Sequence, residues 1–171
     1  MRDHVRGNPN AGVVLLEYAD FECPYCGMAY PFMKRLAKRF HDDLAEVFRP
    51  FPLAEIHPHA MHAAQAAEAA GVQGKFWQMH DVLFENQERL DDAALVEYAQ
   101  GIGLDVERFT TDFASQPVIE RIERSVQLGL QEGVNGTPTF FLNGQRLELE
   151  NYQDLEPTVA RAIALMNKVP R

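Results

Sequence analysis

Apolar and polar positions along the chain divide it into three stretches of different periodicity. Residues 1–11 are polar, with Gly7 and the Asn8-Pro9-Asn10 cluster, and read as an irregular lead-in. Val13-Val14-Leu15-Leu16-Glu17-Tyr18 follows as a short apolar run of the length of a buried strand. From Tyr30 to Phe40 apolar and basic residues alternate at helical spacing, placing Phe32, Met33, Leu36, Ala37 and Phe40 on one side. Pro31 falls inside this helix and is expected to kink it, because proline withdraws one backbone hydrogen bond. Ala45 to Phe51 predicts a second strand, ended by Pro50 and Pro52.

From Pro58 to about Glu132 the pattern is helical, with no convincing strand. Ala60 to Ala70 carries seven alanines and Met61 in eleven residues, a composition suited to close helix packing. Gly71 and Gly74 break it, and Lys75 to Glu85 begins again with Phe76, Trp77, Met79, Val82 and Leu83. Asp91 to Gln100 starts on an Asp-Asp pair able to cap it and stops at Gly101-Ile102-Gly103. Asp105 to Phe113 and Val118 to Leu130 complete the block, separated at Pro117.

The period then changes to two. Gly136-Thr137-Pro138-Thr139-Phe140-Phe141-Leu142 is β-branched and aromatic, and Asn143-Gly144 is a strong hairpin-turn signal. Gln145 to Glu150 alternates Leu147 and Leu149 with polar residues, as a half-exposed return strand does. Tyr152 to Asn167 closes the chain as an amphipathic helix with Leu155, Val159, Ile163 and Met166 on one stripe. The order is β–α–β, a block of helices, then β–β–α. It divides the chain into a first half-sheet at 1–56, a helical insertion at 57–132 and a second half-sheet at 133–171.

Composition narrows the function. The chain is 46% hydrophobic and 24% charged, values of an ordinary globular protein rather than a disordered or fibrous one. A length of 171 residues suits one domain with an insertion, and buries roughly 70% of the unfolded surface without a covalent staple. Acidic residues outnumber basic ones by 25 to 16, giving a net charge of −9. Such a surface repels phosphate backbones, so no nucleic-acid partner is expected. No apolar run approaches the roughly 18–20 residues of a membrane span. The start, Met1 to Asn8, lacks the apolar stretch of a secretory signal, so a cytoplasmic location is expected. The alternative is a periplasmic or other extracytoplasmic protein whose signal has been removed.

Two cysteines, Cys23 and Cys26, stand three positions apart just after the first predicted strand. A disulfide between them closes almost no loop and would be a poor structural staple. The spacing points to chemistry. Half a zinc site and two inert core thiols are the competing readings, but no second Cys-x-x-C exists to complete a four-cysteine site. No metal is expected, and no cofactor beyond the redox-active Cys23–Cys26 disulfide.

Three segments resemble the DsbA-like branch of the thioredoxin superfamily. They are Leu16-Glu17-Tyr18-Ala19-Asp20-Phe21-Glu22-Cys23-Pro24-Tyr25-Cys26, Gln73-Gly74-Lys75-Phe76-Trp77 and Val134-Asn135-Gly136-Thr137-Pro138-Thr139-Phe140. The resemblance covers about residues 8–168 and implies an α/β thioredoxin fold interrupted by an all-helical insertion. It implies a thiol–disulfide oxidoreductase acting on protein or small-molecule thiols and disulfides, with a redox-recycling partner. The inter-cysteine dipeptide Pro24-Tyr25 looks like that of glutaredoxins, whereas DsbA itself has Pro-His, and this leaves the direction of electron flow open.

On this reading Cys23 attacks and Cys26 resolves. Cys23 falls where a strand meets a helix, so unpaired amide N–H groups favour its anion. Pro24 fits the first turn, where its missing N–H costs nothing. Asp20 and Glu22 oppose this by placing negative charge beside Cys23. Tyr25 is expected to line the substrate surface. The resemblance makes the Thr137–Pro138 bond cis and packs it against the cysteines; an edge-strand proline is the plainer alternative. The exposed Thr137 backbone could then pair with an extended substrate, its hydroxyl only filling space. The resemblance also makes Glu17 a proton-relay acid beneath Cys26, against a lysine-paired or outward-facing strand residue. Phe76 and Trp77 are expected in the core. His57, His59 and His62 are expected to sit half-exposed at a helix start rather than to bind metal, and His4, His41 and His80 carry no pattern.

A non-catalytic thioredoxin-like binding module is the second class of function, disfavoured because a scaffold has no need of both cysteines. A glutathione-linked transferase or isomerase is the third, disfavoured by Cys26.

Overall fold

The computed structural model describes residues 2–168. Among them the chain runs through β1 (His4–Gly7), β2 (Val13–Ala19), α1 (Pro24–Arg39) and β3 (Leu44–Pro50). A helical block follows, with α2 (Ala60–Val72), α3 (Phe76–Glu85), α4 (Asp92–Gly101), α5 (Val106–Phe113) and α6 (Gln116–Gln131). The chain returns through β4 (Thr139–Leu142), β5 (Gln145–Arg146), a 3-10 turn at Tyr152–Asp154 and α7 (Leu155–Met166). The sheet has the order β1-β3-β2-β4-β5, with β2 parallel to β3 and the other neighbours antiparallel. This is the thioredoxin fold with a helical insertion between β3 and β4.

β2 is central because it is apolar on both faces. Val13 and Leu15 pack with Met33 and Leu36 of α1 and Leu155 and Val159 of α7. Tyr18 packs on the opposite side with Phe51, Val134 and Phe141. α1 buries Cys26, Ala29, Tyr30, Met33, Leu36 and Ala37, residues at helical spacing, and runs through Pro31. α2 is covered nearly all round, and its buried alanines let α3, α5 and α6 approach closely. Its polar exceptions are satisfied: Gln65 Nε2 donates to the Phe113 carbonyl at 2.8 Å, and Glu68 pairs with His4 and Arg121.

The structure departs from the periodicity in three places. Residues 4–7, expected to be irregular, form β1 along the edge of β3. What holds them is distant in sequence. Arg6 makes a bidentate pair with buried Glu46 at 2.8 and 3.0 Å and reaches Asp81 at 3.0 Å, while His4 stacks on Phe76 at 3.6 Å. The return strand stops after Arg146. The Asn143-Gly144 turn forms as expected, both residues having positive φ, but Leu147 and Leu149 turn inward to the cluster around α7. Met166 leaves the expected stripe and is half exposed, lying over Gly12 at the end of α7.

His80 also has a place that its position in the sequence did not indicate. It is buried among Phe21, Phe48, Phe84 and Trp77, with Nδ1 at 2.8 Å from Asp81 Oδ1, and burial pushes its pKa down to about 4. Phe76 is buried and Trp77 lies against it under the Arg6 guanidinium, so both are core residues as expected.

Arg6→Ala would strand the Glu46 carboxylate in the interior. Urea unfolding near neutral pH should show a loss of about 3–5 kcal/mol. The loss should shrink in acid, where Glu46 is protonated in both folded and unfolded chains.

Candidate active site

The carboxyl end of β2 delivers the chain to α1 through Asp20, Phe21 and Glu22. Cys23 is the N-cap residue of the helix, extended at φ −68° and ψ 123°, with Pro24 in the first turn. Its carbonyl accepts from the Gly27 N–H at 3.1 Å, the first bond of the helix. One turn on, Cys26 is fully buried, and the Asp20 N–H donates to its sulfur at 3.5 Å. Both cysteines are free thiols.

The two thiols are driven in opposite directions. At Cys23 the largest effect is the Cys26 thiol donating to its anion; burial opposes this, and the Thr137 hydroxyl and the Cys26 and Tyr25 N–H groups add to it. The result lowers Cys23 to about 5, so it is a thiolate at neutral pH. Burial pushes Cys26 well above the ordinary thiol value, and the negative charges of Cys23 and Glu17 push it further. Cys26 therefore keeps its proton.

Asp20 and Glu22, expected to oppose the Cys23 anion, each meet a histidine. The His57 ring lies 2.7 Å from Asp20 Oδ2, and the His59 ring lies 3.0 Å from Glu22 Oε1. His62, the third of the group, pairs instead with Asp92 at 2.6 Å. Among the described residues no cluster of metal-ligating side chains is present.

Glu17 points into the interior, 3% exposed, between Phe48 of β3 and Phe140 of β4 in the sheet register. Among the described residues it has no lysine partner. Burial raises its pKa to about 8, with Glu46 adding to the rise and Arg6 only partly offsetting it. A carboxyl of that kind carries its proton at neutral pH.

Across from the helix end the Thr137–Pro138 bond is cis, and the Cys23 sulfur lies 3.6 Å from the Thr137 carbonyl oxygen, to which it donates when protonated. The Thr137 hydroxyl is buried without a bond of full hydrogen-bonding geometry, and it favours the neighbouring Cys23 anion. Tyr25 is 63% exposed and Pro24 is exposed beside it, so both stand on the outer rim of the site. Cys23, Cys26 and Thr137 thus meet at one point, with Pro138 next to Thr137 in the chain and Tyr25 on the exposed rim.

Two more residues belong to this neighbourhood and carry no local signal. Gln87, after α3, donates from one amide nitrogen to the Phe21 and Cys23 carbonyls at 2.7 and 2.9 Å. Gly27 leaves room for it, since a β-carbon there would overlap the Gln87 amide. Tyr152 packs beside Phe140; burial and the nearby Cys26, Cys23 and Glu17 raise its phenol to about 12.

A parallel strand pair, a Cys-x-x-C at a helix start, a cis-proline turn facing it and a helical block between β3 and β4 make a thioredoxin fold of the kind found in DsbA structures. The sequence profile of the thioredoxin family matches residues 1–161, and the chain belongs to that family. A thioredoxin-like oxidoreductase from Silicibacter pomeroyi DSS-3 is similar in structure, with a TM-score of 0.82, 29% identity, and coverage of 94% of this chain and 91% of that one. The thiol-disulfide exchange protein alpha-DsbA2 of Wolbachia pipientis shares the fold with a TM-score of 0.83 at 20% identity, covering 94% of this chain and 87% of its own. BdbD of Bacillus subtilis does so with a TM-score of 0.83 at 21% identity, covering 95% and 93%.

Closer in sequence are segments of much longer proteins. The chain is 47% identical over 145 residues to Na(+)/H(+) antiporter NhaA 3 of Salinispora tropica, covering 85% of this chain and 22% of that protein. It is 44% identical over 171 residues to Na(+)/H(+) antiporter NhaA 1 of Salinispora arenicola, covering 99% and 26%. The chain therefore spans about a quarter of the length of these relatives. Among the described residues no helix is long and apolar enough to cross a membrane.

Two outcomes follow from these shifts. Thr137→Val removes a hydroxyl that favours the Cys23 anion, so ultraviolet titration of the thiolate should move to higher pH. Glu17 keeps a proton in the folded chain up to about pH 8, whereas the unfolded chain releases it near the ordinary value of 4.5. The folded state binds the extra proton across that window, so stability falls as pH rises through it, by up to ~1.4 kcal/mol per pH unit. Glu17→Gln lacks this loss. Its thermal stability should exceed the parent's by a few kcal/mol at about pH 9 and converge with it in acid.

Proposed function

We propose that this chain is a thiol–disulfide oxidoreductase that works in the oxidising direction, passing a Cys23–Cys26 disulfide to protein or small-molecule thiols. The observation that carries the reading is the Cys23 sulfur at the helix N-cap, 3.6 Å from the carbonyl of a cis-proline turn, with Cys26 buried one turn behind.

In this mechanism a substrate thiolate attacks Cys23 Sγ of the oxidised protein, breaking the Cys23–Cys26 bond and forming a mixed disulfide. Cys26 leaves as a thiolate in a site that disfavours its charge, and the protonated Glu17 returns a proton to it. A second substrate thiolate then attacks the substrate sulfur. Cys23 departs as a thiolate, well stabilised where it stands, and the substrate leaves as a disulfide two electrons poorer. The Thr137 backbone offers an extended substrate a strand edge, and Pro24 and Tyr25 provide its rim. A separate disulfide-bearing or otherwise oxidising partner restores the Cys23–Cys26 bond.

Direction follows from which state the site favours. A Cys23 pKa of about 5 stabilises the reduced form at neutral pH, which makes the disulfide a better oxidant. That value lies between the roughly 3.5 of DsbA and 7 of thioredoxin. An oxidant needs a compartment in which disulfides persist. The reading therefore goes with the extracytoplasmic alternative rather than with the cytoplasmic location expected from the polar start.

Equilibration with glutathione should give a reduction potential between about −200 and −120 mV. A potential at or below about −270 mV would reverse the proposed direction. Cys23→Ser should abolish dithiol oxidation, and Cys26→Ser should trap a mixed disulfide at Cys23. A binding module would trap nothing, and a glutathione-linked transferase would keep its turnover without Cys26.

A further inference from the structure

Asp20 ties the cysteine pair to the loop that follows β3. Its carbonyl accepts from the Cys23 N–H at 3.1 Å, and its N–H donates to Cys26 Sγ at 3.5 Å. Its side chain is 1% exposed and fully engaged. Oδ1 accepts from the Glu22 N–H at 2.8 Å, while Oδ2 accepts from the Leu53 N–H at 2.9 Å and meets the His57 ring at 2.7 Å. One buried residue thus positions both sulfurs and one imidazole.

A buried aspartate beside a thiol works against a thiolate unless its charge is cancelled. No charged residue stands between the cysteines, where Pro24 and Tyr25 lie. His59 is taken up by Glu22, which accepts from both the His59 ring and the His59 N–H. His57, with a side chain 18% exposed, is the imidazole left to face this group. The charged groups around it are Asp20, Cys23 and Glu22, all anionic. Burial works against its positive form, yet these neighbours outweigh burial and raise its pKa.

We propose that His57 is a positioning residue of the redox site: held by Asp20, its imidazolium cancels the aspartate's charge behind Cys23 and favours the Cys23 thiolate. The inference rests on the redox reading of the site and adds a control by pH. Below the His57 pKa the thiolate has its counter-charge. As pH rises through that value, the counter-charge is lost and the reduced form loses part of its advantage. The local bonds from Cys26 and Thr137 remain the larger influences, so the expected effect is moderate.

The test uses thiolate titration of the reduced protein and NMR of the His57 ring. His57→Gln should raise the Cys23 pKa, slowing its alkylation at about pH 5 roughly two- to fivefold. His57→Lys should restore it. In the unmodified protein the His57 pKa should fall when the Cys23–Cys26 disulfide forms, because oxidation removes the anion it faces. Equal Cys23 titration in the parent, His57→Gln and His57→Lys would overturn the proposal. So would an unchanged His57 pKa on oxidation, a measurement that stands even if a variant fails to fold. None of these readouts needs turnover. A chain that kept the His57-dependent titration but exchanged no disulfides would bear out this inference and sink only the redox reading.

Discussion

A strand covered on both faces excludes water along its length, and in β2 the consequence falls on Glu17. An ionised carboxylate there, between Phe48 and Phe140, would be a charge without solvent, so the group keeps its proton near neutral pH. The same exclusion covers Cys26, which sits at the carboxyl end of the strand under the first turn of α1. A thiol and an acid that both resist charge are thereby held together. Open ends of parallel strands are where such folds place their chemistry, and both cysteines follow the carboxyl end of β2.

Cys23 lies one turn away and obeys the opposite rule. By exposure the two are alike, Cys23 at 3%, but Cys26 lies deeper and burial is the first cause of its raised pKa. Hydrogen bonds widen the difference. Cys23 receives them from the Cys26 thiol, from main-chain N–H groups at the helix end and from Thr137. Cys26 receives one from the Asp20 N–H and faces the Cys23 anion. Two chemically identical side chains thus differ because donors converge on one while burial holds the proton on the other. The proposed redox roles of the two thiols rest on that asymmetry.

The helical block matters to the site through a few long-range contacts. Gln87 holds the Phe21 and Cys23 carbonyls from the end of α3, and the segment before α2 brings His57 and His59 to Asp20 and Glu22. Two histidines of that stretch are thereby hydrogen-bonded to two acids beside the cysteines. The buried set Glu46, Arg6 and Asp81 acts similarly at the back of the sheet, where Arg6 from the edge strand offsets part of the negative field felt by Glu17.

Local chemistry was legible in the chain. The Cys-x-x-C after an apolar run, the Asn-Gly turn, the Asp91 cap, the alanine-rich helix and the β–α–β, helices, β–β–α order each depend on residues adjacent in sequence, and each appears where its pattern puts it. The resemblance carried the cis turn at Pro138 and the inward Glu17. Tertiary structure alone decided the rest. His4 to Gly7 is a strand because Arg6 finds Glu46 forty residues away, not because four polar-rich residues favour one. The strand after Asn143-Gly144 is cut short because Leu147 and Leu149 find a core to enter. Asp20 and Glu22 stand beside Cys23 in sequence, but their histidine partners, His57 and His59, come from 37 residues away. Spacing reports which groups share a turn or a face, whereas a charge responds to every partner within a few ångströms, and only the folded chain assembles those partners.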